Sequence, residues 1–108
     1  MSFAIVQNDL EPDMLLTMSV NGVAEDLSDI TGDIVLNWRK PNGTTATKNL
    51  TAESLGSGLV RCSWTTGDTA IPGRHYGQVT VTRGNGQTQT FPNTQDAFTW
   101  EVVAKIGA

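Results

Sequence analysis

The stretch "RHYGQVTVTRGNGQTQTF", residues 74 to 91, decides how the rest of the chain is read. His75, Gly77, Val79 and Val81 alternate with Tyr76, Gln78, Thr80 and Thr82, and alternation of this kind marks a strand with one buried face. Asn85-Gly86 then leads into a second short run, "QTQTF" (87 to 91), and an Asn-Gly between two alternating runs is the strongest short-range signal for a β-hairpin. The segment predicts two antiparallel strands.

The same period of two recurs outward from this hairpin, and a helical period is almost nowhere. "FAIVQ" (3 to 7) reads as a first strand, ended by the polar "NDLEPD". "MLLTMSV" (14 to 20) aligns Met14, Leu16, Met18 and Val20, and "DIVLNWR" (33 to 39) aligns Ile34, Leu36 and Trp38 against Val35, Asn37 and Arg39. "GLVRCSW" (58 to 64) puts Val60, Cys62 and Trp64 on one face, and "AFTWEVVAKI" (97 to 106) aligns Phe98, Trp100 and Val102. "TTATKNL" (44 to 50) is a weak strand, and "TAESLG" (51 to 56) is the only helical candidate, at most one turn. Asn21-Gly22 and Asn42-Gly43 supply further turns tolerant of positive φ, while Pro41 and Pro72 sit beside turns, where a missing N–H does no harm. Seven or eight short antiparallel strands with turns at this spacing predict an all-β, immunoglobulin-like β-sandwich without the interior disulfide.

With 108 residues, 38% hydrophobic and 17% charged, the chain reads as one globular domain spanning 1–108. A chain of this size buries roughly two-thirds of its unfolded surface. A net charge of −4 argues against a surface built for nucleic acid or anionic membrane, which needs clustered Lys and Arg. Charge is uneven along the chain: residues 1 to 33 hold seven acids and no base, whereas 34 to 95 hold six bases and two acids. That imbalance fits either a bipolar surface that steers subunit packing or two differently solvated faces. The opening "MSFAIVQNDLEPD" has no basic start and too short an apolar run for a signal peptide, and no run approaches the roughly 18 apolar residues of a membrane helix. A single cysteine excludes an intrachain disulfide framework. Asn42-Gly43-Thr44 and Asn49-Leu50-Thr51 match the glycosylation sequon and are read as chance matches in a chain without a secretion signal.

The chemistry-bearing residues cluster in "RCSWTTGDTAIPGRHYG" (61 to 77), which holds the only cysteine and the only histidine with Asp68 between them. Cys62, between Val60 and Trp64 on an alternating strand, is expected to point into apolar surroundings that raise its pKa rather than act as a nucleophile. His75 is expected to fill an aromatic-sized slot at the core's edge, and Asp68 to cap a turn through its own backbone. One Cys and one His supply no recognised metal spacing. The loop acids Asp9, Glu11 and Asp13 recommend calcium only weakly, because the spacing and glycine of an EF-hand are missing. No nucleophile elbow or glycine-rich phosphate loop is present. Trp38, Trp64 and Trp100 raise a sugar-stacking possibility, but all three fall on inferred core faces. No catalytic, cofactor-binding or metal-binding residue is therefore expected, no cofactor, and no enzymatic activity.

Three segments carry a resemblance: "QNDLEPDMLLTMSVNGVAEDLSDITGDIVLNWRKPNGT", "GLVRCSWTTGDTAIPGRHYGQVTVTRGNGQTQTFPN" and "FTWEV". Their acidic opening loop, Asn-Gly followed by Asp-Leu, Arg-Lys-Pro-Asn-Gly corner, Trp-Thr-x-Gly-Asp-Thr stretch, Pro-Gly before a long hairpin and Phe-Pro after it come in a characteristic order. In that order the chain resembles small bacteriophage virion proteins with an immunoglobulin-like fold, similar to the N-terminal domain of the phage baseplate upper protein. Cys62 and His75 stand where such proteins carry tyrosine. The resemblance implies a virion structural protein (tail, baseplate or neck component, or capsid decoration), made in the host bacterial cytoplasm and residing in the virion. Its implied partners are other virion proteins and copies of itself arranged by virion symmetry, with no nucleic acid and no membrane. In that family the domain anchors a longer receptor-binding chain, and the expectation here is docking rather than host recognition. The alternative is a carbohydrate-binding β-sandwich module for adhesion to the host surface. Assembly is expected through side-to-side contacts or through "FAIVQ" adding to a neighbour's sheet.

Overall fold

A computed structural model describes residues 3–92 and 97–107. The chain is all-β, with strands β1 (Phe3–Val6), β2 (Met14–Thr17), β3 (Ser19–Val20), β4 (Val23–Ala24), β5 (Thr31–Arg39), β6 (Thr45–Ser54), β7 (Leu59–Cys62), β8 (Gly73–Thr82), β9 (Thr88–Phe91) and β10 (Phe98–Val103). The hydrogen-bonded order is β1-β10-β8-β5-β6-β7-β2, with β9 also on β8 and β3 paired to β4. Strand β6 belongs to both layers: Thr45 to Leu50 pair with β5, whereas Thr51 to Ser54 pair with β7. The sheet therefore folds over on β6 into two faces that enclose one core, an immunoglobulin-like sandwich approaching a barrel. Strand β10 lies beside the first half of β8 and β9 beside the second, so the two share one side of it.

The alternating registers become the core. Ile34, Leu36 and Trp38 of β5, Val60 and Cys62 of β7, and His75, Val79 and Val81 of β8 are buried together with Met14, Leu16, Phe91, Trp100 and Val102. The 84–86 loop is a three-residue hairpin loop: Arg83 N–H bonds Gln87 O at 2.7 Å, Gly86 N–H bonds Arg83 O at 2.9 Å, and Gly86 sits at φ 86. The 41–43 loop repeats this geometry, with Lys40 N–H on Thr44 O, Gly43 N–H on Lys40 O and Gly43 at φ 86. In both, an asparagine carboxamide (Asn85, Asn42) accepts the backbone N–H two residues on. Asn21-Gly22, with φ 52 and 83, makes the tighter two-residue turn between β3 and β4.

Four expectations are corrected. The segment 14 to 20 is not continuous, because Met18 leaves the ladder: its N–H bonds Gly58 O and its carbonyl accepts from Glu25 N–H. Residues 51 to 54 extend β6, so the weak strand becomes a ten-residue one, and the helical turn is a 3-10 turn displaced to Leu55–Ser57. It looked weak because Lys48 occupies an inward register position between Ala46 and Leu50, where its ammonium bonds Asp68 at 2.9 Å. The sheet is also not purely antiparallel, since β1 runs parallel to β10. Ile5 of β1 is buried and Phe3 packs on Trp64, so the first strand is part of this chain's own sandwich. A chain lacking residues 1 to 7 would lose the Phe3 contact that covers Trp64, while in the intact fold β1 is a terminal strand of the sheet order.

Gly58 closes the 3-10 turn at φ 68, and a Cβ there would stand 2.6 Å from the carbonyl oxygens of both Met18 and Glu25. These are backbone atoms fixed by the bonds that end β2, so they have no room to yield. Gly58→Ala is expected to cost about 2 kcal/mol or more, combining left-handed strain with the clash. A urea-unfolding midpoint equal to that of the parent would show that this crossing is looser than described.

Candidate functional site

The residues with reactive side chains converge on the interior rather than on a cleft. Trp38 on β5, His75 on β8 and Trp100 on β10 stand at neighbouring register positions, and Trp64, two residues beyond β7, reaches them from the opposite layer. His75 stacks on Trp100 at 5.7 Å and 14°, and the Trp38–Trp100 and Trp64–Trp100 centroids are 5.8 and 6.0 Å apart. Aromatic pairs in this range add about 0.5–1.5 kcal/mol each beyond area burial.

Both ring nitrogens of His75 are committed. Trp38 Nε1–H donates to Nδ1 at 2.9 Å, which places the proton on Nε2, and Nε2–H donates to the Ile71 carbonyl at 2.8 Å. The ring is fully buried, deeper than the core's edge where the sequence places it. Burial lowers its pKa and Lys40 lowers it further, against the Ile71 hydrogen bond and Glu101, which raise it. Such a histidine has neither an open lone pair for a substrate nor an exposed proton to give. Cys62 is fully buried, and burial pushes its thiol up to about 12, which removes thiolate character at neutral pH. Trp100 Nε1 is buried with no hydrogen-bond partner among the described residues, a desolvation cost of about 1–3 kcal/mol.

Asp68 caps its turn as expected, accepting Thr65 N–H at 2.8 Å and Thr65 Oγ1–H at 3.0 Å. It also takes the Lys48 ammonium, a partner the local sequence did not disclose. Burial would raise the Asp68 pKa, but these three donors together hold it low. The carboxylates of the 9–13 loop diverge: Asp13 pairs with Arg61 at 2.9 Å and accepts from Ser63, while Asp9 pairs with Lys105 at 3.3 Å. No group of three or more His, Cys, Asp or Glu side chains is placed to hold a metal among the described residues.

The charge imbalance along the chain is partly folded away. Arg83 from the second half binds Glu25 at 3.1 Å and Asp29 at 2.7 Å, and also donates to the Asp26 carbonyl. Arg61 bridges Asp13 and Glu53, which hold its guanidinium charged and lower both carboxyl pKa values. Three of the seven early acids, Asp13, Glu25 and Asp29, are therefore counter-charges for Arg61 and Arg83 of the second half.

Two surfaces remain. Strands β1 and β2 end the sheet order, and between them a groove of about 400 Å³ is lined by Phe3, Leu15, Leu16 and Phe98. The outer face of β6–β5–β8 carries Thr47, Asn37, Arg39, Tyr76 and Gln78 around a groove of about 670 Å³, with the Arg39 guanidinium 5.0 Å above the Tyr76 ring. Sequence reading placed these residues opposite the core without asking what they hold. The signal was the identity of the polar register, which contains the only tyrosine. Comparison with protein families, curated proteins and solved structures finds no match to this chain.

Protonating His75 requires breaking the Trp38 hydrogen bond inside the core, so the unfolded chain binds this proton more readily. Stability contributed by neutral His75 is complete above the unfolded value of about 6.5 and is lost as pH falls through and below it. Chemical denaturation between pH 7 and 5 should show stability falling, with His75 contributing a slope of at most about 1.4 kcal/mol per unit. His75→Gln, which keeps one acceptor and one donor, should flatten that slope. An equal slope in both proteins would assign the pH dependence elsewhere.

Proposed function

We propose that this chain is a bacteriophage virion structural protein, acting through protein–protein contacts in a tail, baseplate or neck, or as capsid decoration. The single observation that carries the reading is the division of labour between interior and surface. The reactive residue types Cys62 and His75 are consumed in core packing, whereas the surface presents a grooved sheet face of Tyr, Arg, Asn, Gln and Thr. Tyrosine and arginine are enriched at protein interfaces, and lysine and glutamate are depleted.

Further support comes from the motif order that resembles phage virion proteins. Its elements have structural duties in this fold: the Arg-Lys-Pro-Asn-Gly corner forms the β5–β6 loop, and the Gly-Asp-Thr stretch holds the Asp68 cap. The adhesion alternative drew on the tryptophans, and all three are at most 5% exposed, so none offers a sugar platform.

Purified particles of the phage that encodes the chain should contain it in fixed ratio to the major capsid protein, measured by quantitative mass spectrometry. That ratio would also separate head decoration from a tail or neck position. Absence from intact particles, with the protein abundant in the lysate, would refute the reading.

A further inference from the structure

The outward row of β5 is Asp33, Val35, Asn37 and Arg39, alternating with buried Ile34, Leu36 and Trp38. Asp33 and Arg39 stand at its two ends, roughly 20 Å apart at the rise of a strand. Asp33 lies on the outer face, where it accepts from the Asn49 carboxamide at 3.5 Å, and Arg39 lies on the same face over Tyr76. Neither has an ion-pair partner among the described residues, in contrast to Arg61, Arg74, Arg83, Lys48 and Lys105. Across β6, β5 and β8 the remaining outward charges, Glu53 and Arg74, are already paired, with Arg61 at 2.9 Å and Glu101 at 3.2 Å.

A row with an acid at one end, a base at the other and neutral residues between is complementary to itself when reversed. We infer that this face is a two-fold interface with a second copy of the chain, in which Asp33 of each copy meets Arg39 of the other. The inference rests on the reading that copies of this protein contact one another in the assembly. The axis crosses the strands at the level of Leu36, so β5 faces the partner's β5 in reverse direction and each neighbouring strand faces its own counterpart.

The observed pairing carries the consequence to the flanking strands. Asn37 stands beside Gln78, Val35 beside Thr80 and Asn49, and Asn37 beside Thr47. Reversal therefore sets Asn37 against Val35, Gln78 against Thr80 and Thr47 against Asn49. The groove beside Arg39 and Tyr76 receives the Asp33 and Val35 end of the other copy. The contact is isologous and closes at two copies. Three strands of polar side chains make a small, wet interface, so the free protein should associate weakly and depend on multiple contacts within a particle.

Sedimentation equilibrium tests this directly, at concentrations up to about 1 mM, the range in which small interfaces are populated. The parent chain should show a monomer–dimer equilibrium that weakens as salt rises, because exposed pairs are screened. Arg39→Asp and Asp33→Arg should each weaken association at least roughly tenfold by opposing like charges, with unchanged thermal midpoints. The double variant should regain parent-like association. An equimolar mixture of the two single variants should form a heterodimer, since both contacts are then acid against base. A parent chain that stays monomeric, single variants that associate as the parent does, or single variants that no combination rescues would each overturn the interface. A solution dimer with no incorporation into particles would sink the virion reading and leave this one standing, and incorporation of a strictly monomeric chain would do the reverse.

Discussion

The hydrogen bond from the Trp38 indole to His75 Nδ1 is the interaction on which the interior is organised. It joins two adjacent strands through side chains, fixes the histidine tautomer and leaves Nε2–H to tie the ring to the Ile71 carbonyl in the loop before β8. With the ring held, Trp100 stacks on it and Trp64 completes the cluster from the other layer. Antibody domains join their layers by an inter-sheet disulfide packed against a buried tryptophan. This chain has a single cysteine, and aromatic packing with one neutral imidazole makes the connection between its layers.

Apart from the Trp100 indole N–H, the interior polar groups among the described residues have the partner that burial demands. Lys48 turns inward on β6 because Asp68 meets it, and Asp68 is positioned by the Thr65 turn. Arg83 is largely buried because Glu25, Asp29 and the Asp26 carbonyl surround it, anchoring the 25–30 loop to the end of β8. These contacts join distant segments, so charges that look like surface patterning in the sequence act as ties between loops and strands.

Strand β6 decides the architecture around these ties. By pairing with β5 over its first half and β7 over its second, it turns one continuous hydrogen-bonded order into two opposed faces. The result leaves β1 and β2 as the terminal strands and exposes a face of β6, β5 and β8 on which, among the described residues, Glu53 is paired with Arg61 and no lysine points outward. The sheet face has the more ordered chemistry, because Asp33 and Arg39, neither with an ion-pair partner among the described residues, stand along one strand.

By itself the sequence determined the fold class, most strands and the core, because period-two alternation survives wherever one face is buried and is visible without knowing the partner strand. Cys62, the tryptophans and the Asn-Gly turns were legible for the same local reason, and Asp68 as a cap because its backbone partner is three residues away. Only the tertiary structure decided that β1 runs parallel to β10, that β6 is a full strand, and that Asp13, Glu25 and Asp29 serve Arg61 and Arg83. It also decided that His75 lies in the interior rather than at its edge, and that Asp33 and Arg39 share one open face. Each of these depends on a partner tens of residues away, and side-chain period carries no information about which distant strand, charge or indole will arrive beside it.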